Sequence, residues 1–217
     1  MTEPAENQNA KSVAFFDFDG TLTTGDTLMP FIKFVVGAPR YYAKLVLLSP
    51  VLLAYFARLI RNDVAKQIVL KQYLAGYPID ELYELGKRFS EEVIPTLLRP
   101  EGMERLRWHQ AQGHQCVLVS ASLEVYLTHW AKKEGFERVL ATVLAQCPDH
   151  RVTGGLEGNN CHGIAKADRI KKTFQNLDTR RCYAYGDTPG DHPMLDLADE
   201  GFVIKRGRFV RYAKRMR

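Results

Sequence analysis

The chain has 217 residues, 46% of them hydrophobic and 25% charged, an ordinary balance for a soluble globular protein and enough to bury a full α/β core beside a second small module. No two of its four cysteines, Cys116, Cys147, Cys161 and Cys182, are spaced as zinc or redox pairs, which leaves those classes unsupported, and Cys161-His162 reads as loop rather than as a metal pair. The net charge of +5 is concentrated at the C-terminal end, where seven basic residues and no acidic one follow Gly201.

Residues 1–11 form a polar lead-in expected to be disordered, and its first ten lack the basic start and apolar centre of a secretory signal, so a cytoplasmic location is expected. Residues 13–16 are an apolar run that reads as a buried strand. Asp17 and Asp19 follow at its carboxyl end, where open α/β sheets place their chemistry, and a period of two turns both side chains the same way. Two anions this close are costly without a cation or proton between them, a pattern that points to a metal-assisted nucleophile with an acid/base partner.

Residues 26–113 have a different texture and read as a set of helices. Residues 45–57 carry no charge, but the run is shorter than a membrane span and Pro50 is expected to kink or break it. Two readings stay open for it. One is a buried seam between helices; the other is a surface touching lipid or an acyl chain, flanked by Arg40, Lys44, Arg58 and Arg61. Amphipathic helices are expected over 64–74, 79–98 and 103–109, with Pro78, Pro95 and Pro100 at breaks or starts.

Strands are expected at 116–119, ending in Ser120, and at 138–141, 182–185 and 201–204. Helices are expected at 123–134, capped by Ser122 and stopped by Gly135, and at 164–174 and 193–198. Residues 142–156 read as a β-hairpin excursion. The alternation predicts an α/β fold, a Rossmann-like doubly wound parallel sheet built from 12–25 and 114–217, with 26–113 inserted as a helical cap. The basic tail reads either as a solvated terminal helix or as a contact for an anionic partner such as a membrane surface. No stacking aromatic array supports nucleic-acid binding. Of the histidines, only His192 neighbours the acidic residues of the 186–191 segment.

Four segments in order resemble the motifs of the haloacid dehalogenase (HAD) superfamily: Asp17-Phe18-Asp19-Gly20-Thr21, the strand ending in Ser120-Ala121, Lys166 opening a helix, and Gly186-Asp187 followed by Asp191. The closer resemblance is to subfamily IB, the branch holding phosphoserine phosphatase-like enzymes and bacterial phosphatidylglycerophosphatase C. The resemblance implies a phosphatase working through an aspartyl-phosphate, with Asp17 as nucleophile and Asp19 as acid and base. It implies Mg²⁺ held by Asp17, by the Asp19 main-chain carbonyl and by Asp187, with Asp191 either a ligand or the support of a metal-bound water. Ser120 and Lys166 would meet the phosphoryl group, and Gly20, Thr21 and Ala121 would line its cradle. For the substrate three readings stay open: a lipid phosphate such as phosphatidylglycerophosphate, taken beside an anionic membrane; a small soluble metabolite such as phosphoserine; or a phosphate ligand sensed without catalysis.

Overall fold

The computed structural model describes residues 11–214; the lead-in other than Lys11, together with Arg215 and Arg217 of the tail, lies outside the described residues. β1 (Val13–Phe16) is buried on both faces, which its four apolar side chains permit. Ala14 and Phe16 join one hydrophobic cluster, and Val13 and Phe15 join the cluster on the opposite face of the sheet. The chain then leaves the sheet for α1 (Leu28–Val36), α2 (Ala38–Phe56), α3 (Asn62–Leu74), α4 (Ile79–Glu92), α5 (Ile94–Leu97) and α6 (Pro100–Ala111).

It returns as β2 (Gln115–Leu123), and continues through α7 (Glu124–Lys133), β3 (Arg138–Thr142), β4 (Leu144–Gln146), β5 (Val152–Leu156), α8 (Ile164–Thr173), β6 (Cys182–Gly186), α9 (His192–Leu197), β7 (Glu200–Lys205) and β8 (Arg208–Arg211). The six-stranded sheet has the order β3-β2-β1-β6-β7-β8, parallel except for β8. β1 therefore lies between β2 and β6, and Phe16 is in register with Leu118 and Tyr185. That register brings Asp17, Ser120 and Asp187 to the same end of three adjacent strands.

The expected hairpin excursion is β4-β5, and it braces α3. Gly76 N donates to Val152 O at 2.8 Å, and Val152 N to Tyr77 O at 2.9 Å. At Gly154 a Cβ would lie 2.3 Å from Lys71 Cα, so only glycine lets the hairpin come this close to α3. α6 packs against β2, and its buried His109 reaches Tyr185 of β6 at 2.7 Å.

Three expectations need correction. Pro50 neither breaks nor ends α2. A proline leaves the carbonyl four residues back without its helical partner, and here the Ser49 hydroxyl donates to Val46 O at 2.7 Å. Nor is α2 a buried seam, because Leu48 is its one buried residue. The described part of the basic tail is no helix. Arg206 and Gly207 take φ of 49° and 77°, the consecutive left-handed pair of a tight hairpin turn, and Arg208–Arg211 returns as an antiparallel edge strand.

Candidate active site

Asp17 follows β1 directly and is held to β6 by its amide, which donates to Tyr185 O at 2.9 Å. Its carboxylate is buried. Oδ1 accepts from Lys166 Nζ at 2.5 Å and Oδ2 from Thr21 Oγ1 at 3.1 Å. Burial, with Asp191 nearby, holds the Asp17 carboxyl well above the usual range, against the pull of Lys166. Lys166, in the first turn of α8, also donates to Asp191 Oδ1 at 2.6 Å. Burial alone would lower the lysine, but the two carboxylates outweigh it and raise it.

Asp191 is fully occupied as an acceptor. Its Oδ2 takes the Asp187 amide at 3.1 Å, the Thr188 amide at 3.0 Å and the Thr188 hydroxyl at 3.1 Å. Burial would raise it, but Lys166 and these amides hold it below the usual carboxylate range. Asp187 is half-buried, and desolvation together with Asp191 pushes it up to about 6.

Oxygens of Asp17, Asp187 and Asp191 lie within 4.8 Å of one another, the acidic cluster able to hold a metal ion among the described residues. The three carboxylates face only one buried ammonium, that of Lys166, and the excess of negative charge fits Mg²⁺. Gly20 makes room for the cluster. Its φ is 80°, and a Cβ there would lie 2.0 Å from Asp187 Oδ2. Within this turn Gly20 N donates to Thr23 Oγ1 at 3.3 Å and Thr21 N to Phe18 O at 3.2 Å.

The Asp19 carboxylate lies apart from that cluster. Thr27 donates to Oδ1 through its amide at 2.9 Å and its hydroxyl at 2.7 Å, while the Ser122 hydroxyl donates to Oδ2. Burial and the charge of Asp26 push Asp19 up to about 6, against these hydrogen bonds. A carboxyl near neutrality can both give and take a proton. Ser122 is thus an Asp19 partner, and not the expected cap of α7: β2 runs on to Leu123, which takes the cap position. Ser120, on β2, is buried and accepts from the Ser122 amide at 3.0 Å.

Two side chains escaped the sequence reading. Lys66 of α3 is buried over the site and donates to the Ala121 carbonyl and to Asn160 Oδ1, the latter at 2.9 Å. Burial lowers it to about 8, against the pull of Asp19 and Asp26. Its signal was a charge on an apolar face shared with Val69, Leu70 and Tyr73, at helical steps of three, four and seven. His162, and not His192, stands next to the acidic loop: a Cβ on Gly190 would lie 2.5 Å from His162 Nε2, whereas the His192 ring packs on Tyr212.

A cavity of about 510 Å³ connects these groups to α2. Asp19, Asp26, Ser122, Ala121, Lys66 and His162 stand at its polar parts; Leu28, Met29, Leu52, Tyr55, Phe56 and Val69 form apolar wall. A second cavity of about 450 Å³ opens beside Asp19 and Asp187, near Arg99 and Arg206.

The model of the haloacid dehalogenase-like hydrolases matches residues 14–196. Protein CicA of Caulobacter vibrioides is 37% identical over 89% of this chain and 86% of its own length. Phosphoserine phosphatase SerB1 of Mycobacterium tuberculosis is 29% identical over 95% of this chain and 68% of its own. In fold, the chain is similar to a protein of unknown function from Bordetella pertussis, with a TM-score of 0.75 at 23% identity over 88% of both chains. It is similar also to a phospho-aspartyl intermediate analogue of phosphoserine phosphatase, with a TM-score of 0.62 at 19% identity over 88% and 85%. With the acidic cluster, the buried lysine and the strand order in place, the chain belongs to the haloacid dehalogenase-like hydrolases.

Proposed function

We propose that this chain is a Mg²⁺-dependent phosphomonoesterase that forms an aspartyl-phosphate on Asp17 and takes an amphiphilic, lipid-type phosphate ester. Asp17 attacks phosphorus as the ester P–O bond breaks, and Asp19 gives its proton to the departing alkoxide. Asp19 then takes a proton from water as the water oxygen bonds to phosphorus and the bond to Asp17 breaks. Lys166 steadies the Asp17 carboxylate and the phosphoryl charge, and the Ser120 hydroxyl donates to a phosphoryl oxygen. When bound, Mg²⁺ offsets the charge between carboxylates and phosphoryl oxygens; Asp17, Asp187 and the Asp19 main-chain carbonyl would hold it. Asp191, saturated by Lys166 and three donors of the 187–188 segment, acts through them. Residues 26–113 form the cap in this reading, and its α1, α2 and α3 line the cavity beside Asp19.

The observation that carries the substrate reading is the apolar wall leading from Asp19 to Leu52, Tyr55 and Phe56. A leaving group with hydrocarbon next to its phosphate would bury it there. A soluble amino-acid phosphate is the second reading, favoured by Lys66 and Asp26 in the same cavity and by the name of the mycobacterial relative. Initial rates on dodecyl phosphate, phosphatidylglycerophosphate, phosphoserine and a sugar phosphate decide between them, each with Mg²⁺ and with chelator. The proposal expects Mg²⁺-dependent turnover with the highest kcat/KM on the amphiphiles; a preference for phosphoserine would select the second reading. Absence of turnover on every ester, with Mg²⁺ bound, would favour the sensor.

A further inference from the structure

Resting on the amphiphile reading of the cavity, we propose that the outer face of α2 docks on the surface of an anionic lipid bilayer, so that the cavity opens toward lipid. Tyr42, Val46, Leu53 and Phe56 succeed one another at steps of four, seven and three, which places them on one helical face. They are 53%, 72%, 69% and 76% exposed. Leu47 and Leu59 extend the apolar surface, which is larger than scattered single residues would make.

Charge identifies the occupant. Between Asp26 and Asp63 the chain has no acidic residue, but it has Lys33, Arg40, Lys44, Arg58 and Arg61. Arg40 and Arg58 stand at the two ends of α2, and neither forms an ion pair among the described residues. An apolar stripe between cations suits the boundary between anionic headgroups and acyl chains. The same cations oppose a second copy of the chain, because a two-fold contact through this face would bring like charges together. No helix among the described residues is long and apolar enough to cross a membrane, so α2 would lie in the plane of the surface. Phe56 belongs both to the stripe and to the cavity that holds Asp19, which makes the docked face continuous with the mouth of the site.

The test is co-sedimentation of the full chain with vesicles of phosphatidylcholine alone and of phosphatidylcholine containing phosphatidylglycerol. Binding is expected to the anionic vesicles, weakened by high salt as screening requires. The variant Val46→Glu/Leu53→Glu changes two exposed residues outside the cavity wall. It should partition on the order of tenfold less or lower, with hydrolysis of water-soluble butyl phosphate unchanged. Failure of the native chain to sediment with anionic vesicles, or equal sedimentation of the variant, would overturn the proposal. So would a dimer in analytical ultracentrifugation that the two substitutions dissociate. Hydrolysis of monomeric dodecyl phosphate separates the two readings. A chain that prefers it to phosphoserine but ignores vesicles refutes docking alone; one that binds vesicles but prefers phosphoserine refutes the substrate reading alone.

Discussion

The Lys166 ammonium donates to Asp17 Oδ1 at 2.5 Å, with both side chains almost wholly removed from solvent. Breaking a buried pair from one side leaves the other charge uncompensated, which costs about 3–5 kcal/mol. Here two carboxylates depend on the one lysine, since Asp191 accepts from it as well. Lys166→Met should therefore lower the thermal midpoint strongly in chelator, and Mg²⁺ should restore part of the loss. Calorimetry with and without Mg²⁺ reads both numbers, and hydrolysis should stay near background in either.

Asp19 titrates near 6 under opposed influences that two substitutions separate. Ser122→Ala removes a hydrogen bond that favours the ionised form and should raise the pKa; a bond worth about 1 kcal/mol moves it by about 0.7 unit. Asp26→Asn removes the charge that raises it and should lower the pKa. As the acid of the first step, Asp19 must be protonated, so kcat/KM falls as pH rises through its pKa. The alkaline limb should move up in the first variant and down in the second. Limbs that stay together would remove Asp19 from the acid role.

Gly20→Ala tests the packing under the acidic cluster. The left-handed backbone costs a non-glycine residue roughly 1–2 kcal/mol, and the new Cβ would collide with Asp187 Oδ2. The variant should need on the order of 10–100-fold more Mg²⁺ for half-maximal activity, read from a metal titration of rate.

His109 supplies a pH dependence of stability that is separate from catalysis. Burial, with His114 and Arg105 nearby, lowers it to about 3. The unfolded chain binds a proton near pH 6.5 that the folded chain refuses, so stability is complete above that pH and declines as pH falls toward 3. The slope is roughly 1 kcal/mol per pH unit below about 6. Urea unfolding at several pH values should show a flatter slope in His109→Gln, which keeps a hydrogen-bonding side chain and loses the titration.

The strand-end acids were legible in the sequence because a short apolar run followed by Asp-x-Asp-Gly can only end a buried strand at a turn, and β1 does so. Lys166 was legible from order along the chain. The partners of Asp19 were not. Whether Ser122 caps a helix or faces a carboxylate depends on how far β2 runs past Val119, and local pattern does not decide that. Lys66 was hidden because its partners, Ala121 and Asn160, are 55 and 94 residues away. The C-terminal hairpin was hidden for another reason: Arg206 takes the left-handed conformation that a reader expects of glycine or asparagine.

Covalent chemistry at Asp17 is the central claim, and trapping the intermediate tests it most directly. The protein is mixed with a ³²P-labelled ester and Mg²⁺, quenched in acid within a turnover, and counted for protein-bound label. Native protein should carry label that alkali releases, as an acyl phosphate does, and Asp17→Asn should carry none. Label retained in Asp17→Asn, or turnover by the native protein with no label at any quench time, would contradict the account.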